Sequence, residues 1–478
     1  MSLLCNYEPE EEDNEERFLL PNVETTEEVE WYTPGGFHPV HLGDTYDDGR
    51  YRIVHRLGAG GFATVWLARD EKEKKWVALK VILAEKSVSL GENSHIGYQA
   101  ASSFSGESKL VAELRRFTID GPNGHHLCLV LPVLGPSSSQ LSSNFTCRLK
   151  PWLARRASYQ AVKAVSAIHA HGLCHGDVTT ANILFNLLDI DHLGEADIYR
   201  LFGSPVTDEL QIESGEATGP EAPRYIVKAL DFLSSTSNII GSDVALIDFD
   251  QCFSMSSPPE KMLGTPAEFL APEVAVGLPA SPASDVWALG CCIFRLRSGE
   301  GPFSNYEVTS PVDLLRIVIQ TLGDIPLEWQ DTLWDYYGQP TKDPSKGKPL
   351  SKWEGERSLK DLVYRIWEQP EGNVVETGTG RPEYKAWDAR DEEENKPFPP
   401  CFSDMVWKPT AVKVDNTYIF GYNDESLALL EAMPKIAERE AALLYDLLSK
   451  IFVYDPQKRP TASELLNHPW FQMDGQPD

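Results

Sequence analysis

The sequence predicts an α+β fold in two lobes, a small lobe of antiparallel strands followed by a larger, mainly helical lobe. Short apolar and β-branched runs come first, at residues 51–57, 64–69 and 76–82, and turn residues separate them. Beyond residue 150 the apolar spacing lengthens to the helical period. A chain of 478 residues is also too long for one compact core. These observations favour a ligand-binding cleft between two lobes.

Further elements are predicted in the small lobe. Residues 127–131, Leu-Cys-Leu-Val-Leu, fit a buried strand that ends the lobe, and residues 110–117 also favour a strand. By contrast, Ser, Gly and Asn give the stretch around Glu92 a low helix propensity. We therefore expect strands to dominate this lobe.

Helices are predicted in the large lobe. Residues 152–171 carry apolar residues at helical spacing and stop at Gly172, which fits a glycine cap. Residues 284–296 and 438–452 are predicted to be helical as well. Residues 461–464, Thr-Ala-Ser-Glu, have the pattern of a capping box that opens a last helix.

The remaining segments are predicted to be irregular. Residues 1–36 are acidic and lack periodicity, so we expect a disordered or loosely docked tail. Residues 203–223 are expected to be a flexible linker because of their Gly, Pro, Ser and acidic content. The expected division is a small lobe over 37–134, a large lobe over 135–472 with irregular insertions at about 186–240 and 335–415, and a tail over 473–478.

The chain is strongly acidic, with a formal net charge of −29. Residues 8–30 contain eleven Asp or Glu against one Arg, so most of the charge lies elsewhere. An acidic field attracts basic polypeptides and repels nucleic acid and anionic membranes. We expect a basic protein partner and no direct binding of nucleic acid or membrane. An acidic surface that merely aids solubility is the alternative.

Cysteine usage and hydropathy indicate an intracellular protein. The eight cysteines are scattered without a Cys-x-x-Cys pair, which fits reduced thiols. No apolar run reaches the ~18 to 20 residues that span a membrane, and the N-terminus is acidic. The expected location is the cytoplasm or the nucleus, and the expected state is a monomer.

Residues 175–184 carry the chemistry. They read His-Gly-Asp-Val-Thr-Thr-Ala-Asn-Ile-Leu and place the carboxylate of Asp177 five residues before the amide of Asn182. Metal-assisted phosphoryl transfer needs such a pair, because the acid orients a hydroxyl nucleophile and the amide oxygen holds Mg²⁺. Thr179 stands where a Lys usually follows the Asp.

A glycine-rich turn lies between the first two strands, Gly58-Ala59-Gly60-Gly61-Phe62-Ala63-Thr64-Val65. Missing side chains let such a backbone fold over a polyphosphate, although a plain hairpin bulge would look alike. The next strand carries Val-Ala-Leu-Lys and ends its alternating pattern at Lys80.

These motifs occur in the order found in eukaryotic protein kinases, which the sequence resembles. The others in the set are Asp-Phe-Asp at 248–250, Ala-Pro-Glu at 271–273, residues 285–290 and Arg-Pro-Thr at 459–461. Residues 35–40, residues 121–124 and the insertion after the catalytic loop resemble the SR-protein kinases. The resemblance implies a bilobal protein-kinase-like fold and an ATP-dependent serine/threonine protein kinase that phosphorylates basic, Arg/Ser-rich proteins.

The resemblance also assigns roles to residues. Asp177 would orient the substrate hydroxyl, and Thr265 would position the substrate and contact Asp177. Asn182 and Asp248 would hold Mg²⁺, and Lys80 would clamp the ATP phosphates. The residues expected to bind ATP are Leu57, Gly58, Ala59, Gly60, Gly61, Phe62, Ala63, Thr64, Val65, Ala78, Lys80, Glu92, Leu131 (the gatekeeper) and Leu134 (with Val133 in the hinge).

Three side-chain pairings follow from the same resemblance. Lys80 needs a carboxylate partner from the helix of the small lobe, for which Glu92 is preferred and Glu113 is the competitor. Glu273 and Arg459 would form a buried ion pair. Asp285 is expected to cap the N-terminus of its helix, to form a hydrogen bond back to the catalytic loop, or both.

Three positions depart from the kinase pattern. Ala63 replaces a glycine of the phosphate loop and should matter little. The missing cation at Thr179 is more serious, since losing a charge beside a developing charge commonly costs about 10²- to 10³-fold in rate. Asp250 replaces the Gly of Asp-Phe-Gly, at a position that Gly could occupy with positive φ.

Two other functions stay open. The loop and the Asp-Phe-Asp motif also resemble small-molecule phosphotransferases, and the loss at Thr179 fits a pseudokinase scaffold without turnover. Substrate docking is the weakest part of the hypothesis. In the SR-protein kinases one helix begins with an acid and carries a second acid two turns later; here Asp313 is kept but Gln320 occupies the second position.

Overall fold

The computed structural model describes residues 17–23, 27–103, 108–143, 145–234, 238–260, 262–304, 308–355, 357–378, 396, 398, 400–419 and 424–473. It confirms the predicted fold class, because a six-stranded antiparallel sheet with one long helix precedes a mainly helical lobe.

The small lobe is built on that sheet, whose strand order is β1-β2-β3-β4-β6-β5. Alternation along β4 gives the sheet two apolar faces. Val77 and Leu79 point into a core on one face, while Ala78 and Ile82 face a second core shared with helix α1. The elements are β1 (Thr45–Tyr46), β2 (Tyr51–Gly60), β3 (Ala63–Asp70), β4 (Lys75–Ile82), α1 (Ser87–Ser103), β5 (Arg115–Gly121) and β6 (Gly124–Pro132).

One expectation for this lobe needs correction. The strand predicted over 110–117 begins only at Arg115, because Leu110 instead pairs with Leu246 of the large lobe. The stretch around Glu92 lies inside α1 despite its low propensity. Tertiary burial overrides propensity there, since Tyr98 and Ala101 of α1 are buried in the core shared with the sheet.

The large lobe is centred on helix α3 (Pro151–Ala170), which contacts helix α6 (Pro282–Ser298) and strand β12 (Ile240–Leu246). Its predicted helices are confirmed, and Gly172 after α3 has the positive φ of +72° expected of a glycine cap. The capping box at Thr461 is also present. The helices are α2 (Ser138–Leu141), α3 (Pro151–Ala170), α4 (Glu195–Phe202), α5 (Pro272–Ala275), α6 (Pro282–Ser298), α7 (Pro311–Leu322), α8 (Leu359–Tyr364), α9 (Pro400–Ser403), α10 (Asp424–Leu430), α11 (Glu438–Ile451) and α12 (Ala462–Leu465).

The strands of this lobe are short and mostly paired in twos and threes. They are β7 (Arg148–Leu149), β8 (Leu173–Cys174), β9 (Ile183–Leu187), β10 (Thr207–Glu209), β11 (Tyr225–Val227), β12 (Ile240–Leu246), β13 (Phe253–Ser254), β14 (Leu333–Trp334), β15 (Pro340–Thr341), β16 (Lys348–Pro349), β17 (Val374–Val375), β18 (Val406–Trp407), β19 (Lys413–Val414) and β20 (Thr417–Tyr418). The pairs β8–β13 and β9–β12 frame the catalytic loop and the Asp-Phe-Asp motif.

The N-terminal segment is not a loose tail where the structure describes it. Phe18, Val29 and Tyr32 are buried in one apolar cluster with residues of the first insertion. Glu27 forms an ion pair of 2.9 Å with Arg56 of β2, and both side chains are almost fully buried. The prediction was wrong here because a few apolar side chains anchor an otherwise acidic stretch. Residues 1–16 and 24–26 lie outside the described residues.

The linker predicted over 203–223 is also folded. β10 pairs with β11, and Leu210 and Ala222 are buried against the N-terminal segment. Hydrogen-bonded pairing and apolar burial outweigh the Gly and Pro content that suggested flexibility. In the second insertion, 335–415, the described elements are strands of two residues and short helices, which agrees with an irregular segment, but Val363 and Val412 are fully buried.

None of the helices in the described part of the chain is long and apolar enough to cross a bilayer. The cysteines whose side chains are described are all free and buried: Cys128, Cys147, Cys174, Cys252, Cys291 and Cys292.

Candidate active site

Asp285 of α6 holds the loop at 175–184 in place. Its carboxylate accepts hydrogen bonds from the backbone N–H of His175 at 2.8 Å and of Gly176 at 3.0 Å, and lies 2.9 Å from His169 Nε2. The helix N-cap is Ser281, so of the two roles expected for Asp285 the bond to the loop is the one observed. A Cβ on Gly176 would lie 2.4 Å from the carbonyl oxygen of Gln251, so this tight turn requires glycine.

Asp177 and Asn182 meet as predicted. The Asn182 Nδ2 donates to the backbone oxygen and to Oδ2 of Asp177, both at 2.9 Å. Because the amide nitrogen makes both contacts, the amide oxygen of Asn182 is left for another partner. Asp177 Oδ1 is enclosed and has no hydrogen-bond partner in the described structure. Burial and the negative charge of Asp248 raise the pKa of Asp177 to about 7.

Lys80 of β4 contacts two carboxylates rather than one. Its Nζ lies 2.9 Å from Asp248 Oδ1 and 2.8 Å from Asp250 Oδ2. Burial alone would lower the pKa of Lys80, but the two carboxylates outweigh it and the pKa is raised. Burial would likewise raise the pKa of Asp248, yet the Lys80 ammonium holds it below its usual value. Burial and Asp248 together raise the pKa of Asp250 to about 6.

The predicted partners of Lys80 fare differently. The alternative pairing of Lys80 with Glu113 is wrong, because Glu113 instead accepts a hydrogen bond of 2.7 Å from Arg116. Residue 92 lies within α1, but its side chain is outside the described part of the chain, so Glu92 stays a prediction. Sequence reasoning missed Asp250, although its replacement of the usual Gly was a signal that could have been used.

The glycine-rich turn is where the sequence placed it. Gly60 pairs with Ala63 across the β2–β3 hairpin, with Gly61 and Phe62 at its tip. A Cβ on Gly58, Gly60 or Gly61 would meet nothing within 4 Å, so the space beside these residues is open for a ligand. One expectation changes: the Thr64 hydroxyl is buried and accepts a hydrogen bond from Trp66 Nε1, so only its backbone can serve a nucleotide.

An apolar lining continues from this turn to the hinge. Ala78 and Leu131 are buried and pack with the half-buried Leu57 and Val65 in the core that joins the two lobes. Strand β6 ends one residue after Leu131, and the hinge residues Val133 and Leu134 that follow are half-buried. The structure therefore brings together Leu57, Val65, Ala78 and Leu131 of the predicted nucleotide site, whereas Phe62 packs with the N-terminal apolar cluster.

Thr265 approaches the catalytic loop, but not as predicted. Its hydroxyl donates to the backbone carbonyl of Gly176 at 2.7 Å, whereas a contact with Asp177 itself was expected. The expected ion pair at the end of the same segment is confirmed. Arg459 binds Glu273 through both guanidinium nitrogens, at 2.5 and 2.6 Å, and both side chains are buried.

Comparison with known proteins identifies the family. A family model described as the protein kinase domain matches residues 51–195 and 232–471. The chain belongs to the protein kinase family. Among its curated relatives, the kinase is 29% identical over 317 residues to the serine/threonine-protein kinase SRPK of Physarum polycephalum, covering 63% of this chain and 73% of the relative.

Two other relatives match shorter stretches of the kinase. It is 30% identical over 227 residues to protein kinase dsk1 of Schizosaccharomyces pombe, covering 44% of this chain and 40% of dsk1. It is 32% identical over 197 residues to SRSF protein kinase 3 of Homo sapiens, covering 37% of this chain and 31% of the relative. The matched stretch is thus less than half of the length of these two proteins, and the kinase resembles the SR-protein kinases.

The site fits the nucleotide and metal that the kinase family uses. The open face of the glycine-rich turn, Lys80 and the apolar lining suit a nucleotide triphosphate. Asn182 and Asp248 offer amide and carboxylate oxygens, which are the ligands that Mg²⁺ prefers.

The departures from the kinase pattern have clear structural settings. Thr179 is buried, and its carbonyl accepts a hydrogen bond of 3.1 Å from the N–H of Asn182. In the Asp-Phe-Asp motif the positive φ, +67°, belongs to Asp248, and Asp250 is not among the positive-φ residues. The expected backbone restriction at Asp250 therefore does not arise, since any L-residue fits there.

Proposed function

We propose that this kinase transfers the γ-phosphoryl group of ATP to serine or threonine hydroxyls of proteins. The observation that carries the proposal is the convergence of two hydrogen-bonded pairs, Asn182 with Asp177 and Lys80 with Asp248, whose charges interact. The unpartnered Oδ1 of Asp177 is placed to accept the hydroxyl proton. The hydroxyl oxygen then bonds to the γ-phosphorus as the bond from that phosphorus to the ADP oxygen breaks, and ADP leaves.

The groups around the phosphates act by position and charge. Asn182 fixes the carboxylate of Asp177 through the 2.9 Å hydrogen bond, and Lys80 is held at the floor of the cleft. Asn182 and Asp248 would hold Mg²⁺, which would neutralise part of the charge on the phosphates. Such preorganised charge is worth several kcal/mol of barrier, on the order of 3 kcal/mol per group in comparable sites.

A protein substrate is favoured over a small molecule by the segment after Asp-Phe-Asp. Thr265 ties this segment to the catalytic loop, and Glu273 with Arg459 anchors its end in the large lobe. The segment thus forms a fixed ledge beside Asp177, on which an extended peptide can lie. The match to the protein kinase model also runs through this region.

Basic, Arg/Ser-rich proteins are proposed as the substrates. The net charge of −29 supports this choice, as do the names of relatives such as SRSF protein kinase 3. Helix α7 lends little support, because Asp313 is already paired with Arg316 at 2.6 Å and bonded to Ser310. At the second position Gln320 donates to the carbonyl of Glu354. The attraction is therefore assigned to the field of the whole protein.

The test compares two peptides of equal length, one alternating Arg and Ser and one alternating Gln and Ser. With ATP and Mg²⁺ we expect phosphorylation of Ser in the Arg peptide at low salt, with kcat/KM at least about ten-fold above the Gln peptide. The preference should shrink as ionic strength rises, because exposed charges are screened. Equal rates without salt dependence would contradict the substrate proposal, and no transfer to either peptide would favour a scaffold without turnover.

Replacing Thr179 with Lys should raise kcat by about ten-fold, since it restores a cation beside the developing charge of the transferred group. The measurement is kcat at saturating ATP and peptide, with Thr180→Lys on the neighbouring residue as the matched control. Unchanged kcat in a folded Thr179→Lys protein would mean that another group already supplies this charge.

We also propose that the kinase is a monomer of the cytoplasm or the nucleus. The free, buried thiols in the described part of the chain support a reducing compartment.

A further inference from the structure

The ammonium of Lys80 has an unusual arrangement of partners. Carboxylate oxygens of Asp248 and Asp250 lie 2.9 Å and 2.8 Å from the same Nζ atom. The two acids are the residues before and after Phe249 in the sequence. One of the two carboxylates, Asp250, stands where the kinase pattern has a glycine without a side chain. Asp250, in place of that glycine, therefore gives the site a second acid beside Lys80.

The two carboxylates face different surroundings. The side chain of Asp248 is 31% exposed toward the cleft, whereas that of Asp250 is 7% exposed. A carboxylate that ligates Mg²⁺ gives up part of its interaction with the Lys80 ammonium, because the metal is the larger local charge. Asp248 is the one placed for the metal. Asp250, behind it, can keep its contact with Lys80 throughout.

Helix α1 meets this region through an aromatic residue. Tyr98 is buried, interacts electrostatically with Lys80 and packs edge-on against Phe249 with ring centroids 4.9 Å apart. One residue earlier, a Cβ on Gly97 would lie 2.4 Å from Cβ of Phe249, so the backbone of α1 sits directly on this ring. The helix thus places the phenol of Tyr98 near Lys80, without a hydrogen bond from the phenol hydroxyl to the ammonium.

The register of α1 separates position 92 from that contact. It lies six residues before Tyr98 in one continuous helix. An α-helix rises about 1.5 Å per residue and turns once about every 3.6 residues. Relative to Tyr98, the backbone at position 92 is therefore displaced by about 9 Å along the helix axis and rotated by about 240° around it. The backbone at position 92 thus lies on another face of the helix.

We propose that Asp250 is the positioning residue of Lys80, replacing a carboxylate from helix α1. This inference rests on the proposed function, and it assigns to Asp250 the task of holding the ammonium against the phosphates of ATP while Asp248 ligates metal. The position can carry Asp without strain, because its φ is not positive. Moving the acid from the helix to the Asp-Phe-Asp motif keeps one charge beside Lys80 and leaves α1 free to pack through Gly97 and Tyr98.

The experiment measures the Kd for Mg·ATP with a fluorescent nucleotide, together with kcat/KM for ATP, in four variants. Asp250→Gly and Asp250→Asn should each raise Kd about ten-fold and lower kcat/KM about 10²-fold, because the first removes the side chain and the second only its charge. Asp250→Glu should retain most of both. In Asp250→Gly combined with Tyr98→Glu, a helix carboxylate should restore kcat/KM by about ten-fold.

Asp243→Asn is the matched control. Asp243 is also an acid ion-paired with a lysine, Lys109, at 2.8 Å, but it lies away from the cleft contacts. It should leave the Kd for Mg·ATP unchanged. Wild-type Kd and kcat/KM in folded Asp250→Asn would overturn the inference. If the wild type transferred no phosphate, the proposed function would fail, while a raised nucleotide Kd in Asp250→Asn would still support the role of Asp250.

Discussion

Asp177→Asn is expected to abolish phosphoryl transfer and, at the same time, to make the folded kinase more stable at about pH 8. The catalytic loss follows because the amide cannot accept the hydroxyl proton, and a positioned general base contributes about 10²- to 10⁴-fold. The gain in stability follows because Asp177 is enclosed and close to Asp248, so its ionised form is disfavoured in the folded protein.

The pH dependence has a definite sign. The folded pKa of Asp177 is about 7, above the usual 3.8, so the folded protein binds the proton more tightly than the unfolded chain does. The contribution of Asp177 to the free energy of unfolding therefore falls as the pH rises from about 4 to about 7. Removing this term should make Asp177→Asn more stable than the wild type by on the order of 2 kcal/mol at about pH 8. The difference should diminish toward about pH 4.

Urea titrations at several pH values check the stability, and kcat/KM across the same range checks the chemistry. In the wild type kcat/KM should fall below about pH 7, because it reports the free enzyme's base. Asp243→Asn is the contrasting variant. Burial opposes ionisation of Asp243, but hydrogen bonds from Lys109, Gln160 and Arg156 lower its pKa to about 2, so its loss should destabilise the protein at about pH 8. A less stable Asp177→Asn would contradict the argument.

The fold was predictable wherever a residue's neighbours in sequence are also its neighbours in space. The hairpin strands and the caps at Gly172 and Thr461 depend on local geometry, and each was placed from the sequence. Helix α1 was only weakly indicated by the sequence because its stability comes from distant partners, such as Phe249 packed against Tyr98. The N-terminal segment was missed for the same reason, since its partners lie almost 200 residues away in the first insertion.

The candidate site divides in the same way. Asp177 and Asn182 were identified from their spacing, and Asp248 and Lys80 from the resemblance to protein kinases. The structure joins each pair by hydrogen bonds. The second acid on Lys80 could not be placed from spacing alone. From the sequence, Asp in place of Gly at position 250 suggests only a restricted backbone. The structure shows the direction of its side chain, and with it the contact between Asp250 and Lys80.

Glu273→Gln is expected to lower the free energy of unfolding by about 3–5 kcal/mol, because it leaves the buried guanidinium of Arg459 without its counter-charge. Arg459 cannot turn to water instead. It also donates to the carbonyls of Val453 and Ala283 and lies over the ring of Trp287, so it is fixed from several sides.

Urea denaturation of a double-mutant cycle measures this coupling. Glu273→Leu combined with Arg459→Met removes both charges and should recover most of the stability lost in Glu273→Gln, since two apolar side chains need no charge partner. Lys352→Met, which breaks an exposed pair with Asp324, should cost under about 1 kcal/mol and serves as the control. A loss in Glu273→Gln as small as in the control would contradict the buried-charge argument.

The same double variant separates two roles of the pair. Glu273 lies at the end of the segment that carries Thr265, and that segment forms the proposed ledge for the substrate peptide. If the pair only holds the large lobe together, a stable double variant should phosphorylate peptides at nearly the wild-type rate. We expect instead that its KM for peptide rises with kcat less affected, because the bidentate contact, unlike an apolar pair, fixes the direction of the chain.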